Sequence, residues 1–211
     1  MSSETRAMGY PRWVVMTMWV SAVLIAVGSY RFLIADIGLV MPAMLHHALE
    51  RPLMLYLHIG LAPISLALLP VQFSTRIRQR RRRLHRWLGR LYGVAILLAG
   101  LSGIWLAYTT EEGPVAAAGL GVLSLLWLWV TGTAIWHAMS RRIAQHRVWM
   151  IRSAALTLAA VTLRVYLPVG VATVGFEASY PIICWLAWVP NLLLAEWILR
   201  RGRGAPLAAT V

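Results

Sequence analysis

The sequence predicts an all-α, polytopic transmembrane bundle of six spans with both termini in the cytoplasm. Three observations carry this. The chain is 60% hydrophobic and only 13% charged, with a mean hydropathy of +0.69, whereas a soluble domain is about half apolar and a quarter charged. Several apolar runs reach the roughly 20 residues needed to cross hydrocarbon. The arginines gather in connections that alternate spans would place on one side.

The first predicted span covers residues 13–30. Its run is long and lacks a small-x-small cleavage site, so it reads as a retained helix and not a signal peptide. Residues 31–51 are intermediate in polarity, and DIGLVMPAMLHHALE fits a short surface helix interrupted near Pro42. The second span covers 52–73, with Pro52 in the first turn and Pro63 as a kink. RIRQRRRRLHRWLGR, Arg76 to Arg90, follows with eight arginines and His85. The third span covers 87–108, the turn TTEEGP leads to the fourth at 115–139, and SRRIAQHR precedes the fifth at 148–167, ended by Pro168. A glycine-containing loop with Glu177 leads to the sixth, 181–199, and an arginine-bearing tail. The whole chain forms one integral membrane domain.

With the N-terminus inside, Arg6, Arg12, the Arg76–Arg90 cluster, Arg141, Arg142, Arg147, Arg200, Arg201 and Arg203 fall inside. Arg31, Arg51, Asp36, Glu50, Glu111, Glu112 and Glu177 fall outside. This is the positive-inside pattern of a bacterial cytoplasmic membrane protein. The net charge of +13 therefore reflects topology and anionic headgroups, which Arg76–Arg83 would meet, and not nucleic acid. Cys184 is the only cysteine, so no intrachain disulfide forms.

Helical spacing predicts which faces look inward. Gly89, Gly93, Gly100 and Gly103 share one face of the third span, with His85 one turn before it. Small residues allow close approach of another helix or of a flat cofactor. His146, Met150, Ser153, Thr157, Ala160 and Arg164 form a stripe on the fifth span, and Arg51, His58, Ala62, Ser65 and Gln72 one on the second. The first span has no such stripe and is expected at the periphery with the sixth, around a core of spans two to five. Arg152 and Glu196 lie at similar depth and either pair or snorkel, and Glu196 could equally pair with Arg200 four residues on. Arg164 is expected to meet Glu177, Asp36 or an anionic ligand. The eleven tryptophans fit an interfacial belt.

A bis-histidine haem needs two helices offering imidazoles at one depth. His85 and His146 open the third and fifth spans, which run the same way, and His137 on the fourth span is an alternative ligand. Arg86, Arg90, Arg147 and Arg152 would receive propionates. The leading expectation is thus one b-type haem, or a quinone, near the cytoplasmic face, with a redox partner or a second copy as possible company. A non-redox carrier would instead bind an anion through His58 and Arg164, and a scaffold would need no ligand. His58 with His46 or His47 and Glu50 would bind a transition metal. No nucleophile–base set, phosphate loop or carboxylate dyad is present, so hydrolase or transferase chemistry is not expected.

LHIGLAPISLALLPVQF, LHRWLGRLYG, AQHRVWMIRSAALTLAAVTLRVYLP and WVPNLLLAEWILR resemble a bacterial family of predicted multi-pass membrane proteins known only as a domain of unknown function. The resemblance covers roughly residues 58–200. It singles out His58, Gln72, His85, Arg86, Gly89, Arg90, Tyr92, His146, Arg147, Arg152, Arg164, Asn191 and Glu196 among others, and implies no activity. Spans two to five also resemble, in architecture alone, cytochrome b561-type four-helix haem proteins, from which this chain departs in lacking a second histidine pair at one depth.

Overall fold

The computed structural model describes residues 12–204. Among these residues six helical segments are long and apolar enough to cross a membrane: Val15–Leu33, Pro52–Gln72, Arg82–Tyr108, Gly113–Met139, Ile143–Val174 and Phe176–Arg201. These are the first to sixth spans. Apart from residues 34–51, each follows the last through a short connection, so these neighbours run antiparallel and the third and fifth run parallel.

The third span packs most extensively on the second and fourth, and the fourth on the first half of the fifth. The first span lies against the second, and the sixth against the fifth and fourth. Leu66, Leu69, Tyr92, Ile96, Trp127, Val130, Leu156 and Trp188 fill the core. Leu24, Val27, Leu101, Trp129 and Leu193 stay exposed, as residues facing lipid tails do in a bundle that hides only its inner faces.

The connections sort charge to two ends. One carries the helix Thr75–Arg80, the Ser140–Arg142 turn and Arg200 and Arg201. The Ser74 side chain caps the Thr75–Arg80 helix, and Arg81 breaks it before the third span begins. The other end carries residues 34–51, Glu111, Glu112 and Glu177. Arg6 and the side chains of Arg12 and Arg203 lie outside the described residues. As expected, residues 34–51 form short helices broken at Pro42: Ile37–Val40, capped by Asp36, and Leu45–Glu50.

Four boundaries differ from expectation by five residues or more, one being the start of the fifth span, at Ile143 and not 148. The third span starts five residues early, at Arg82, because its first turn is built from the arginine cluster. The fifth passes through Pro168 to Val174, and the sixth starts at Phe176, ahead of Pro181. No loop carries Glu177, since Gly175 alone turns the chain, at φ 85°, a left-handed conformation suited to glycine. A proline removes one donor and bends a helix, and helices packed in a membrane tolerate this. The fifth span breaks instead at Leu158 and the sixth at Ala187–Trp188.

Candidate functional site

A chain of hydroxyls ties the third, fourth and fifth spans together in mid-bundle. Tyr92 Oη lies 2.8 Å from Ser153 Oγ and 2.9 Å from Thr157 Oγ1. Thr131 Oγ1 lies 2.7 Å from Ser153 Oγ, and the Trp127 indole N–H donates to Thr157 Oγ1 at 2.9 Å. Thr157 gives its only hydroxyl proton to the Ser153 carbonyl, 2.8 Å away. Tyr92 therefore donates to Thr157, Ser153 to Tyr92, and Thr131 to Ser153. Every hydroxyl is satisfied, which a buried polar cluster in an apolar bundle requires. Trp127 thus departs from the expected interfacial belt: it is buried and works as a donor.

His85 lies seven residues before Tyr92, and His146 seven before Ser153. Seven residues is two helical turns, so each histidine shares the face of its helix that carries the Tyr92–Ser153 contact. The two helices run the same way, so the two histidines stand at a similar depth, close enough for their charges to interact. His146 Nδ1 is 2.8 Å from the Ala134 carbonyl. A carbonyl only accepts, so Nδ1 carries the proton and Nε2 keeps its lone pair. His85 Nδ1 is buried and has no protein partner. His137 is buried too, stacked near Trp149 at 6.5 Å between ring centroids, with Nδ1 likewise unpartnered.

Arg86, Arg90 and Arg147 are exposed at this end. Arg152 is committed elsewhere. Its guanidinium forms a two-pronged pair with Glu196, through Nε to Oε1 and at 3.0 Å from Nη2 to Oε2, and lies 4.6 Å from the Trp149 ring centroid. Pairing rather than snorkelling thus describes Arg152 and Glu196, and it fastens the sixth span to the fifth.

The glycine stripe serves packing. A Cβ at Gly93 would lie 2.8 Å from Ile135, and one at Gly100 2.7 Å from Leu128. At Gly103 it would lie 2.8 Å from Ser124 Oγ and 3.2 Å from His58 Cε1. Side chains of the fourth and second spans occupy the space that a flat cofactor would need there. Only Gly89, 3.5 Å from Gln72 Oε1, has ordinary clearance.

At the opposite end the expected metal grouping and the expected Arg164–carboxylate pair separate, whereas His58 and Arg164 lie close enough for their charges to interact. His58 Nδ1 donates to the Ala99 carbonyl at 2.8 Å. Glu50 pairs with Arg51 at 2.6 Å, and His46 Nδ1 is 3.8 Å from Glu111 Oε2. The His46 and His47 rings lie against each other, tilted by 44° with centroids 3.8 Å apart. Burial pushes the His47 imidazole down to about 4, with His46 and Arg51 adding to the effect. The expected metal site of His58, His46 or His47 and Glu50 is not assembled, and among the described residues no group of three or more His, Cys, Asp or Glu could hold a metal ion. Arg164 meets neither Glu177 nor Asp36. It donates to Ser29 Oγ at 2.9 Å and to the Ala160 carbonyl at 3.0 Å, while Asp36 caps Gly38. The first span, expected to be peripheral, thus supplies a buried polar contact. Sequence reasoning missed Ser29 and Thr131, and a lone hydroxyl in an apolar helix leaves no periodic signal.

No curated protein and no solved structure matches the chain. A family model described as "Predicted membrane protein (DUF2306)" matches residues 55–199, from the start of the second span to the end of the sixth. Six apolar spans and a match over most of the chain make this protein an integral, multi-pass member of that family.

Proposed function

We propose that the arginine-rich end faces the cytoplasm and would hold one b-type haem between the third and fifth spans through His85 and His146. The observation that carries this reading is the matched placement of the two imidazoles, each two turns from the Tyr92–Ser153 hydrogen bond. The two imidazoles have the chemistry to hold such a group. His146 is oriented by its Nδ1–H bond to Ala134, as ligating histidines commonly are, and its Nε2 is left available. His85 has a buried ring nitrogen that no protein group satisfies, which is uncommon in native proteins and marks a place for a further partner. The fit does not extend to the Gly93–Gly103 face, which is filled, or to Arg152, which Glu196 holds. Arg86, Arg90 and Arg147 are the guanidinium groups that would neutralise the propionates.

A haem held by two histidines supplies one-electron transfer. This chain's own contribution is to orient the imidazoles and to tie the two helices together through Tyr92. The test is the visible absorption of protein purified from haem-replete cells, oxidised and reduced. A Soret band that shifts on reduction is expected. A colourless preparation overturns the reading.

A further inference from the structure

At the end opposite the arginine clusters, Arg164 is a cation without an anion. It lies on the fifth span, ten residues short of Val174, inside an apolar segment. An arginine at such depth is costly unless something compensates its charge. Its hydrogen-bond partners, Ser29 Oγ and the Ala160 carbonyl, are both neutral. They use two of the guanidinium's five N–H donors. Among the described residues no carboxylate pairs with it, and three of the five acidic groups of that end are engaged elsewhere: Glu50 by Arg51, Glu111 by His46, Asp36 by the Gly38 amide.

A second guanidinium stands nearby. Arg31 follows Ser29 by two residues, is exposed, and is close enough to Arg164 for the two charges to repel. Arg31 lies over the Phe32 ring, 4.8 Å from its centroid, and two neighbouring guanidinium groups with no carboxylate paired to Arg164 suit a tetrahedral oxyanion. The flanks suit acyl chains: Leu24, Val27 and Leu33 on the first span and Val165 and Val169 on the fifth are exposed.

We propose that Arg164 and Arg31, with Ser29 between them, form a binding site for a phosphate group, presented by an anionic membrane lipid lying in the groove between the first and fifth spans. The site is independent of the haem reading, since it shares no residue with it and lies at the other end of the bundle.

The test uses the full chain, purified and depleted of lipid, with thermal unfolding followed against added phosphatidylglycerol, phosphatidylcholine or inorganic phosphate. A saturating ligand is expected to raise Tm by on the order of 5 °C. With phosphatidylglycerol the rise should be present in the wild type, at least halved in Arg31→Gln and absent in Arg164→Gln. Arg31 is exposed, so its variant remains informative even if Arg164→Gln fails to fold. The same arginine-dependent rise with inorganic phosphate would keep the site and assign it to a soluble phosphate. No rise with either, or a rise that both variants retain in full, would overturn the proposal.

Discussion

The third span has two faces that meet their neighbours in opposite ways. Toward the fourth and second spans, Gly93, Gly100 and Gly103 let side chains come within 2.7–2.8 Å of where a Cβ would stand. Toward the fifth span, Tyr92 reaches across to Ser153 and Thr157 and stands between the two helices. One face is closed by the absence of side chains and the other is spaced by a large polar one. Within a membrane, where lipid tails compete with apolar contacts, small residues and satisfied hydroxyls are the two means of fixing helix distance. A histidine on the closed face, His58, has its ring against Gly103 and its Nδ1–H on Ala99. The histidines on the spaced face keep ring nitrogens uncommitted, which is why the candidate site is there.

The contrast can be broken from either side. Tyr92→Ala removes the spacer and leaves a cavity, and should destabilise the bundle by about 3–5 kcal/mol. Tyr92→Phe keeps the ring but strands the Ser153 donor, and should cost about 1–3 kcal/mol. Thermal unfolding in detergent measures both, and a Tyr92→Phe protein as stable as the wild type would show that the hydroxyl network contributes nothing. On the closed face, Gly100→Ala should cost about 1–3 kcal/mol through overpacking, and Leu128→Ala in the same chain should recover part of that loss because Leu128 is the side chain in the way. Gly89→Ala should be neutral within about 0.5 kcal/mol, since its Cβ would meet Gln72 only at ordinary contact distance.

A pH-dependent effect lies away from both faces, on the surface helix Leu45–Glu50. His47 is buried and neutral, titrating near 4 where an unfolded histidine titrates near 6.5. The unfolded chain therefore binds the extra proton between those values. Stability should be level above pH 6.5 and fall as pH drops toward 4, by at most about 1.4 kcal/mol per pH unit. His46, Glu50 and Arg51 titrate or carry charge beside it, so His47→Gln, compared with the wild type across this range, isolates its share.

The six spans were legible because soluble helices rarely carry an apolar run long enough to cross lipid, and the charge of each connection then ordered the ends. Their limits were less so. Pro168 and Pro181 read as helix boundaries, yet the turn is made at Gly175, whose positive φ matters more than a missing amide donor. The Arg152–Glu196 pair was visible as two opposite charges at one depth. The Arg164 contact was not, because Ser29 lies 135 residues away and a single serine in an apolar helix is common. The Tyr92 cluster could have been found from the repeated seven-residue interval that separates His85 from Tyr92 and His146 from Ser153.

The most direct test of the site is the reduced-minus-oxidised difference spectrum of four purified proteins: wild type, His85→Ala, His146→Ala and His58→Ala. A haem signal in the wild type and in His58→Ala, lost or converted to a different spin state in His85→Ala and His146→Ala, is the predicted result. An unchanged signal in both His85→Ala and His146→Ala, or none in the wild type, would contradict the assignment of this gap as the cofactor site.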